Sequence, residues 1–286
     1  MRKIAAVFSC AGLNFRKWRV TPRLYVVAAV TLVQMLWCWI PLMQYSLSLG
    51  VPVTPWGFGF MYGHPTMLMT NSCLLLLLFC NAPFSDTHTP FVVIRTGRRN
   101  WMVGQLVYIA AAALLYVLYQ FGLMLLILSP SLGFSWSWGS VLWQIAFSGY
   151  DPAYTGSLGP VKEVITQYSG LAYTLLSMLI MWLAGMLMGC LVLCFNLLSG
   201  RSLGVAIGGV FCFLSYFCQY VGYTLFGGRI FWLTPMAWVY PPILQGGRYP
   251  TVQQAILVLT VLIVGLAGLS VWACCRKDLV LQKGEV

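Results

Sequence analysis

The chain has 286 residues, 60% of them hydrophobic and only 7% charged, and this balance excludes an ordinary soluble domain. With five carboxylates and two histidines in total, it is thinly supplied for a metal cage or an acid–base site. The net charge of +11 suggests nucleic acid at first sight, but most of the Lys and Arg fall in four short segments beside long apolar runs, which is a membrane-topology signal instead.

The N-terminal residues 1–23 predict an amphipathic helix on the inner leaflet of a membrane. They carry six basic residues, while Ile4, Phe8, Ala11, Phe15 and Trp18 recur at roughly helical spacing. A signal peptide is the alternative for a basic start followed by apolar residues. We discount it because the apolar run is interrupted by polar and glycine residues and is followed by more basic ones.

The remainder, residues 24–286, predicts an all-α membrane protein with six transmembrane helices, since about 20 apolar residues cross a bilayer. The predicted spans are 24–46, 62–81, 103–128, 170–195, 203–226 and 252–273. Lys and Arg concentrate before the first span, between the second and third, between the fourth and fifth, and after the last. This asymmetry places both termini in the cytoplasm and makes the protein multi-pass.

The connections differ in composition. Residues 47–61 are uncharged and predict a short outer connection. Ser129–Gln167 predicts a long external loop, in which Trp136, Trp138 and Trp143 either anchor the chain at the membrane interface or bind a ligand. Within residues 227–251, the apolar run Ile230–Gln245 is broken by three prolines, so we predict one or two short helices that dip into the outer leaflet between spans five and six.

The cysteines predict neither disulfides nor a metal site. Most of the ten lie in apolar runs, the two long outer connections contain none, and there is no Cys-x-x-Cys pair or Cys/His cluster. Cys190 and Cys194 are one helical turn apart, and we interpret them as small core residues rather than ligands. Gly185 and Gly189 have the spacing that lets a neighbouring helix approach closely.

The polar and basic stretch Asn81–Trp101 cannot cross hydrocarbon, because its Asp, His and Arg side chains are costly to desolvate. Its prolines stop helices and its Thr96-Gly97 pair offers a turn. Thr89–Thr96 is therefore predicted as a helix of at most two turns that lies along the membrane surface.

No charged residue or histidine lies in the middle of any predicted span, which argues against a carrier coupled to protons or sodium. The chain also lacks the G-x-x-x-x-G-K-[ST] loop that binds ATP. If the protein moves a solute actively, a separate polypeptide must hydrolyse the nucleotide.

This layout, with the motif APF...TPFVVIRTGRRNW after the second span, resembles the membrane subunit of bacterial ABC-2 (type V) exporters. The resemblance implies a permease in the bacterial plasma membrane that pairs with a second permease subunit and two copies of an ABC ATPase, which hold ATP and Mg²⁺. It implies that residues 90–99 form a coupling helix and that Phe8, Phe15 and Trp18 belong to an interfacial helix. The implied coupling residues are Pro90, Phe91, Ile94, Arg95, Arg98 and Arg99.

The transport pathway would then lie between two permease subunits. Gln34, Asn71, Ser72, Ser215 and Gln219 either face this pathway or form hydrogen bonds between helices. Few polar groups and many aromatic ones suit a hydrophobic or amphipathic cargo, such as a peptide, a drug-like molecule or a lipid-linked molecule, although lipid-facing surface alone explains the same composition.

Three alternatives remain open. In the first, the arginines of the short helix serve only to bind anionic lipid and fix topology. In the second, the chain is a peptide-sensing or immunity subunit that uses the Ser129–Gln167 loop, without transport. In the third, it is an intramembrane lipid-modifying enzyme, for which Asp86 and His88 are the candidate pair.

Overall fold

The computed structural model describes residues 2–86, 88–148, 158–159, 161–199 and 201–276, and most of these residues are helical. The helices are α1 Arg2–Arg16, α2 Pro22–Leu49, α3 Pro65–Phe79, α4 Thr89–Thr96, α5 Arg98–Leu128, α6 Gly139–Ser148, α7 Lys162–Gln167, α8 Gly170–Ser199, α9 Arg201–Phe217, α10 Tyr223–Phe226 and α11 Val252–Arg276. Within these ranges there is no β-sheet, only the isolated bridges Val53–Leu132 and Gln245–Thr251. The predicted all-α class is confirmed. The polar tail after Arg276 and the middle of the predicted external loop lie outside the described residues.

Five helical stretches are long and apolar enough to cross a membrane: Pro22–Leu49, Arg98–Ser131, Gly170–Ser199, Leu203–Leu233 and Val252–Arg276. They correspond to five of the six predicted spans. The remaining span, residues 62–81, is represented by α3, which at 15 residues is about 22 Å long and shorter than the roughly 30 Å hydrocarbon core. Helix length therefore supports a multi-pass membrane protein but does not establish six crossings.

Helix α8 is the central helix of the bundle and contacts α3, α5, α9 and α11. Its glycines allow this: a Cβ added at Gly185 would lie 3.1 Å from the Cβ of Ala113 on α5, so the two backbones approach closely. Cys190 and Cys194 are both buried beside them. The predictions of close packing at Gly185 and of core cysteines are thus confirmed.

The predicted connection 47–61 joins α2 to α3, and its second half is buried in the bundle rather than exposed. Pro55–Gly63 forms a 3₁₀ segment in which every residue from Pro55 to Tyr62 is buried. The rings of Phe60 and Tyr173 stack with centroids 4.7 Å apart. Glycine and proline make this stretch resemble a surface loop in the sequence, but here the glycines let its backbone enter the bundle, where irregular backbone is shielded from lipid.

The proline-broken stretch after α10 is also internal. It forms the 3₁₀ segments Gly227–Leu233, Pro235–Val239 and Pro241–Ile243, and the last two consist of buried residues. The predicted short helices are present as 3₁₀ segments, and the last two pack into the protein core; their position relative to the outer leaflet stays a prediction. The Nε1 of Trp238 donates to the carbonyl of Phe231 at 2.7 Å and holds the stretch folded on itself.

One end of the bundle collects the basic segments. Asn196, near the end of α8, donates from Nδ2 to the carbonyl of Ala82 at 2.6 Å, and the thiol of Cys274, near the end of α11, lies 3.8 Å from the carbonyl of Arg98. Helix α1 packs on α5 and on α4 at this same end. We call it the basic end. Arg229 and Arg248 do not belong to it, because they lie in the stretch between α10 and α11, which the chain reaches after running the length of α9.

Candidate docking surface at the basic end

Helix α4 runs from Thr89 to Thr96, as the sequence predicted. Asp86 lies just before its start: the backbone N–H of His88 and the hydroxyl of Thr89 both donate to Oδ1, at 3.2 and 2.9 Å. The helix stops at Gly97, whose φ of 84° and ψ of 146° suit glycine alone. The next helix, α5, begins at once, so α4 and α5 meet at a fixed corner.

The outward face of α4 is apolar at its centre and basic around it. Phe91 is 72% exposed and Ile94 is 83% exposed, although both are large hydrophobic residues. Arg95 and Arg99 are exposed beside them, as is Arg98, while Val92 and Val93 face the core. We call Phe91, Ile94, Arg95, Arg98 and Arg99 the docking surface. Pro90, also predicted for this site, is half-buried in the first turn.

The docking surface is rigidly attached to α5. The amide of Asn100 donates to the carbonyl of Thr96 at 2.8 Å, and the backbone N–H of Gly97 donates to the carbonyl of Val93 at the same distance. Trp101, in the first turn of α5, is buried. These contacts connect α4 to the first turn of α5 across Gly97.

Helix α1 is held against the same part of α5. A Cβ added at Gly104 would lie 2.6 Å from the Cβ of Cys10, so only glycine permits this close crossing. Asn14 donates to Gln105 at 3.0 Å, and the Nε1 of Trp18 donates to the hydroxyl of Tyr108 at 2.8 Å. Gln105 and Tyr108 were not foreseen, because a single polar residue in an apolar helix does not reveal its partner.

The predicted interfacial residues divide between two environments. Phe15 packs on Tyr108 with ring centroids 4.9 Å apart and so belongs to the α1–α5 contact, as does Trp18. Phe8 is 62% exposed and Ile4 is 65% exposed, although helical geometry puts both on nearly the same side of α1 as Phe15. The sequence predicted one apolar stripe but not which part of it packs on protein.

Lys17 and Asp86 tie this assembly to the stretch before α4. Lys17 Nζ lies 2.9 Å from Asp86 Oδ2, and both side chains are more than a third exposed. Partial burial raises the pKa of Asp86, but the hydrogen bonds from Lys17 and Thr89 and the charge of Lys17 outweigh it, so the pKa lies below its usual value.

We expect Asp86→Asn to lower the free energy of unfolding by less than about 1 kcal/mol at neutral pH, because solvent screens an exposed ion pair. The folded pKa lies below the unfolded one, so the stabilisation is present at neutral pH and is lost as the pH falls through the folded value. Thermal unfolding of both proteins over a pH series, with and without 1 M salt, measures this. A difference that persists in acid or in high salt would contradict the ion-pair explanation.

The same carboxylate was the candidate partner of His88 in an enzyme. In the structure Asp86 accepts hydrogen bonds from the backbone N–H of His88 and from Thr89, and it forms an ion pair with Lys17. No group of three or more His, Cys, Asp or Glu side chains positioned for a metal occurs within the described part of the chain.

The predicted pathway residues lie inside the bundle and make hydrogen bonds there. Asn71 is the centre of a buried network: its Oδ1 accepts from the hydroxyl of Tyr116 at 2.9 Å and from Nε2 of Gln120 at 2.7 Å, and Gln120 accepts from Tyr62 at 2.7 Å. This network joins α3, α5 and the 3₁₀ segment Pro55–Gly63. Of the two readings left open by the sequence, hydrogen bonding between helices describes Asn71.

The other four predicted pathway residues form two pairs, one bonded within its own helix and one bonded to another segment. Ser72 and Ser215 donate to carbonyls four residues earlier in their own helices. Gln34 donates to the carbonyl of Met67 at 3.1 Å, and Gln219 lies 3.4 Å from the carbonyls of Tyr62 and Gly63. Gln219 belongs to the π-helical turn Cys218–Gly222, a distortion that is frequent at functional sites.

The tryptophans of the predicted external loop differ in burial. Trp138 is buried and donates to the carbonyl of Tyr168 at 2.7 Å, whereas Trp136 and Trp143 are exposed. Residues 149–157 of this loop lie outside the described residues. Membrane anchoring and ligand binding by the exposed pair stay predictions.

The helices and their apolar surfaces define an all-α protein with several membrane-crossing helices. Comparisons of the chain with family models, with curated proteins and with solved structures found no match. Functional assignment therefore depends on the chain's own residues.

Proposed function

We propose that the chain is the permease subunit of an ABC-type exporter, which crosses the bacterial plasma membrane six times with both termini in the cytoplasm. A separate ATPase, present in two copies, would hold ATP and Mg²⁺ and dock on α4. A second permease subunit would complete the pathway, and the cargo would be a hydrophobic or amphipathic molecule moved outward.

The observation that carries the proposal is the exposure of Phe91 and Ile94 between arginines. A short helix with apolar side chains at i and i+3, surrounded by cations, fits a groove that is apolar inside and acidic at its rim. Membrane lipid would also receive apolar side chains. It does not require the rigid attachment to α5 and α1 that α4 has.

Helix α5 supplies the route from docking to transport. Arg98 starts it and Gln120, in the buried network with Asn71, lies 22 residues further on, so one helix spans about 33 Å between the two sites. Closure of two ATPases would displace α4, tilt α5 and shift the hydrogen bonds between α5 and α3. Two such permeases facing each other would then alternate access or extrude cargo laterally.

The test is the replacement of Arg95, Arg98 and Arg99 by Glu. We expect a tagged native chain, purified from its own membrane in mild detergent, to bring an ATP-hydrolysing subunit with it, and the triple variant to lose that subunit while still inserting. The matched control is Arg229→Glu with Arg248→Glu, which changes basic residues outside the docking surface. Unchanged co-purified ATP hydrolysis in the triple variant would reject the assigned role of these arginines.

A further inference from the structure

A cleft with a polar and an apolar compartment lies beside the docking surface. The polar compartment, about 140 Å³, lies between the end of α1, the start of α2, the end of α3 and residues 84–86. The apolar compartment, about 470 Å³, lies between α2, α3 and α5. Trp18, Leu24 and Leu78 line both, so the two compartments adjoin.

The polar compartment carries an arginine that is not neutralised. Lys17 lines it but pairs with Asp86. Arg23, half-buried, lies 2.7 Å from the thiol of Cys80, and within the described ranges no carboxylate lies within 4.0 Å of its guanidinium. A guanidinium at a membrane face whose only hydrogen-bond partner among the described residues is a thiol is suited to a phosphate, which accepts two parallel hydrogen bonds.

The apolar compartment is an open groove lined mainly by aromatic rings, among them those of Tyr25 and Tyr119, and by aliphatic side chains, with Arg19 as its one charged lining residue. The hydroxyl of Tyr25 donates to the carbonyl of Arg19, and that of Tyr119 donates to the carbonyl of Ala28, both at 3.0 Å. Because these hydroxyls are satisfied by backbone, the rings present apolar faces to the groove. Such a surface suits a hydrocarbon chain.

The polar and apolar compartments follow each other along the bundle in the same order as the headgroup and acyl chains of a lipid in its leaflet. On α5, Tyr108 lines the polar compartment, and Ala112, Leu115 and Tyr119 line the apolar one, about 6 to 16 Å further from the basic end. On α2, Arg23 precedes Val27 and Ala28 in the same sense. The charged compartment thus lies toward the basic end and the apolar one toward the middle of the bundle.

We propose that this cleft binds one anionic phospholipid, with its phosphate on Arg23 and one acyl chain along Ala28 and Tyr119. The lipid would connect Trp18, next to α1, with α2 and α5, and so would stabilise the position of α1 beside the docking surface. This inference does not depend on the proposed transport function.

The test uses the purified full chain in detergent. Its thermal unfolding is measured with phosphatidylglycerol, with zwitterionic phosphatidylcholine and with inorganic phosphate, and native mass spectrometry counts retained lipid. We expect phosphatidylglycerol alone to raise the midpoint clearly. Arg23→Gln should weaken that binding about tenfold or more, the effect of losing one charge-assisted contact. Arg16→Gln removes an exposed charge on α1 that does not line the cleft, and should change nothing.

A second pair of variants tests the acyl-chain compartment. Ala28→Trp fills the groove and should abolish the preference for phosphatidylglycerol, whereas Ala29→Trp, at an exposed position outside the groove, should preserve it. If Arg23→Gln does not fold, the comparison of Ala28→Trp with Ala29→Trp tests the proposal instead. Equal midpoints with both lipids, or a retained preference in Ala28→Trp, would overturn the proposal. A shift with inorganic phosphate as large as with phosphatidylglycerol would also overturn it, because the site would then bind a free anion.

Discussion

Replacing both Phe91 and Ile94 with aspartate is expected to abolish association with the proposed ATPase while leaving the fold intact. Both side chains are mostly exposed, so their loss should change the free energy of unfolding by less than about 0.5 kcal/mol each. An apolar anchor at the centre of an interface contributes about 2 kcal/mol or more, so the double variant should bind at least several hundred-fold more weakly. Affinity of the purified subunits, measured in detergent or nanodiscs, checks this.

The matched control is Phe8→Asp, which alters another exposed phenylalanine at the basic end, on α1. If Phe91 and Ile94 only insert into lipid, then Phe8→Asp should impair the protein as much as the double variant does. We expect Phe8→Asp to retain ATPase binding. Equal losses in the two variants would count against a docking role for α4.

The substitution Gly59→Ala is expected to destabilise the bundle by roughly 1–3 kcal/mol, the usual effect of inserting volume into a packed core. An added Cβ would lie 2.9 Å from the Cβ of Ser177 and 2.9 Å from the ring of Tyr173. Neither can withdraw easily, because Ser177 Cβ is fixed to α8 and Tyr173 is fully buried against Phe60. The thermal midpoint in detergent should fall accordingly.

Gly57→Ala provides the control two residues away in the same 3₁₀ segment. Its added Cβ would meet the ring of Trp39 at 3.4 Å, an ordinary contact. The two variants make the same chemical change at two buried glycines. If Gly59→Ala proved as stable as Gly57→Ala, the buried placement of Pro55–Gly63 would be incorrect.

The sequence predicted helix α4 well because its boundaries are encoded locally. Pro90 lies in its first turn, and Gly97 adopts a backbone conformation that other residues rarely adopt. Long apolar runs likewise predicted five of the spans. In both cases a few neighbouring residues determine the structure, so a single sequence suffices.

Features formed by distant residues were missed. Pro55–Gly63 has the composition of a loop, and only the rings of Phe60 and Tyr173, far apart in sequence, show that it is core. The partners of Asn71, which are Tyr116 and Gln120, are isolated polar residues in apolar helices. The phospholipid cleft draws its lining from five parts of the chain and therefore leaves no local signal.

The most direct test of the central claim is photo-crosslinking from the docking surface in the native membrane. A photoreactive phenylalanine analogue at Ile94 should crosslink to a subunit that hydrolyses ATP, and the same analogue at Phe8 should not, because Ile94 lies on the docking surface and Phe8 does not. Crosslinks from Ile94 to lipid alone, or to a protein that does not hydrolyse ATP, would contradict the account.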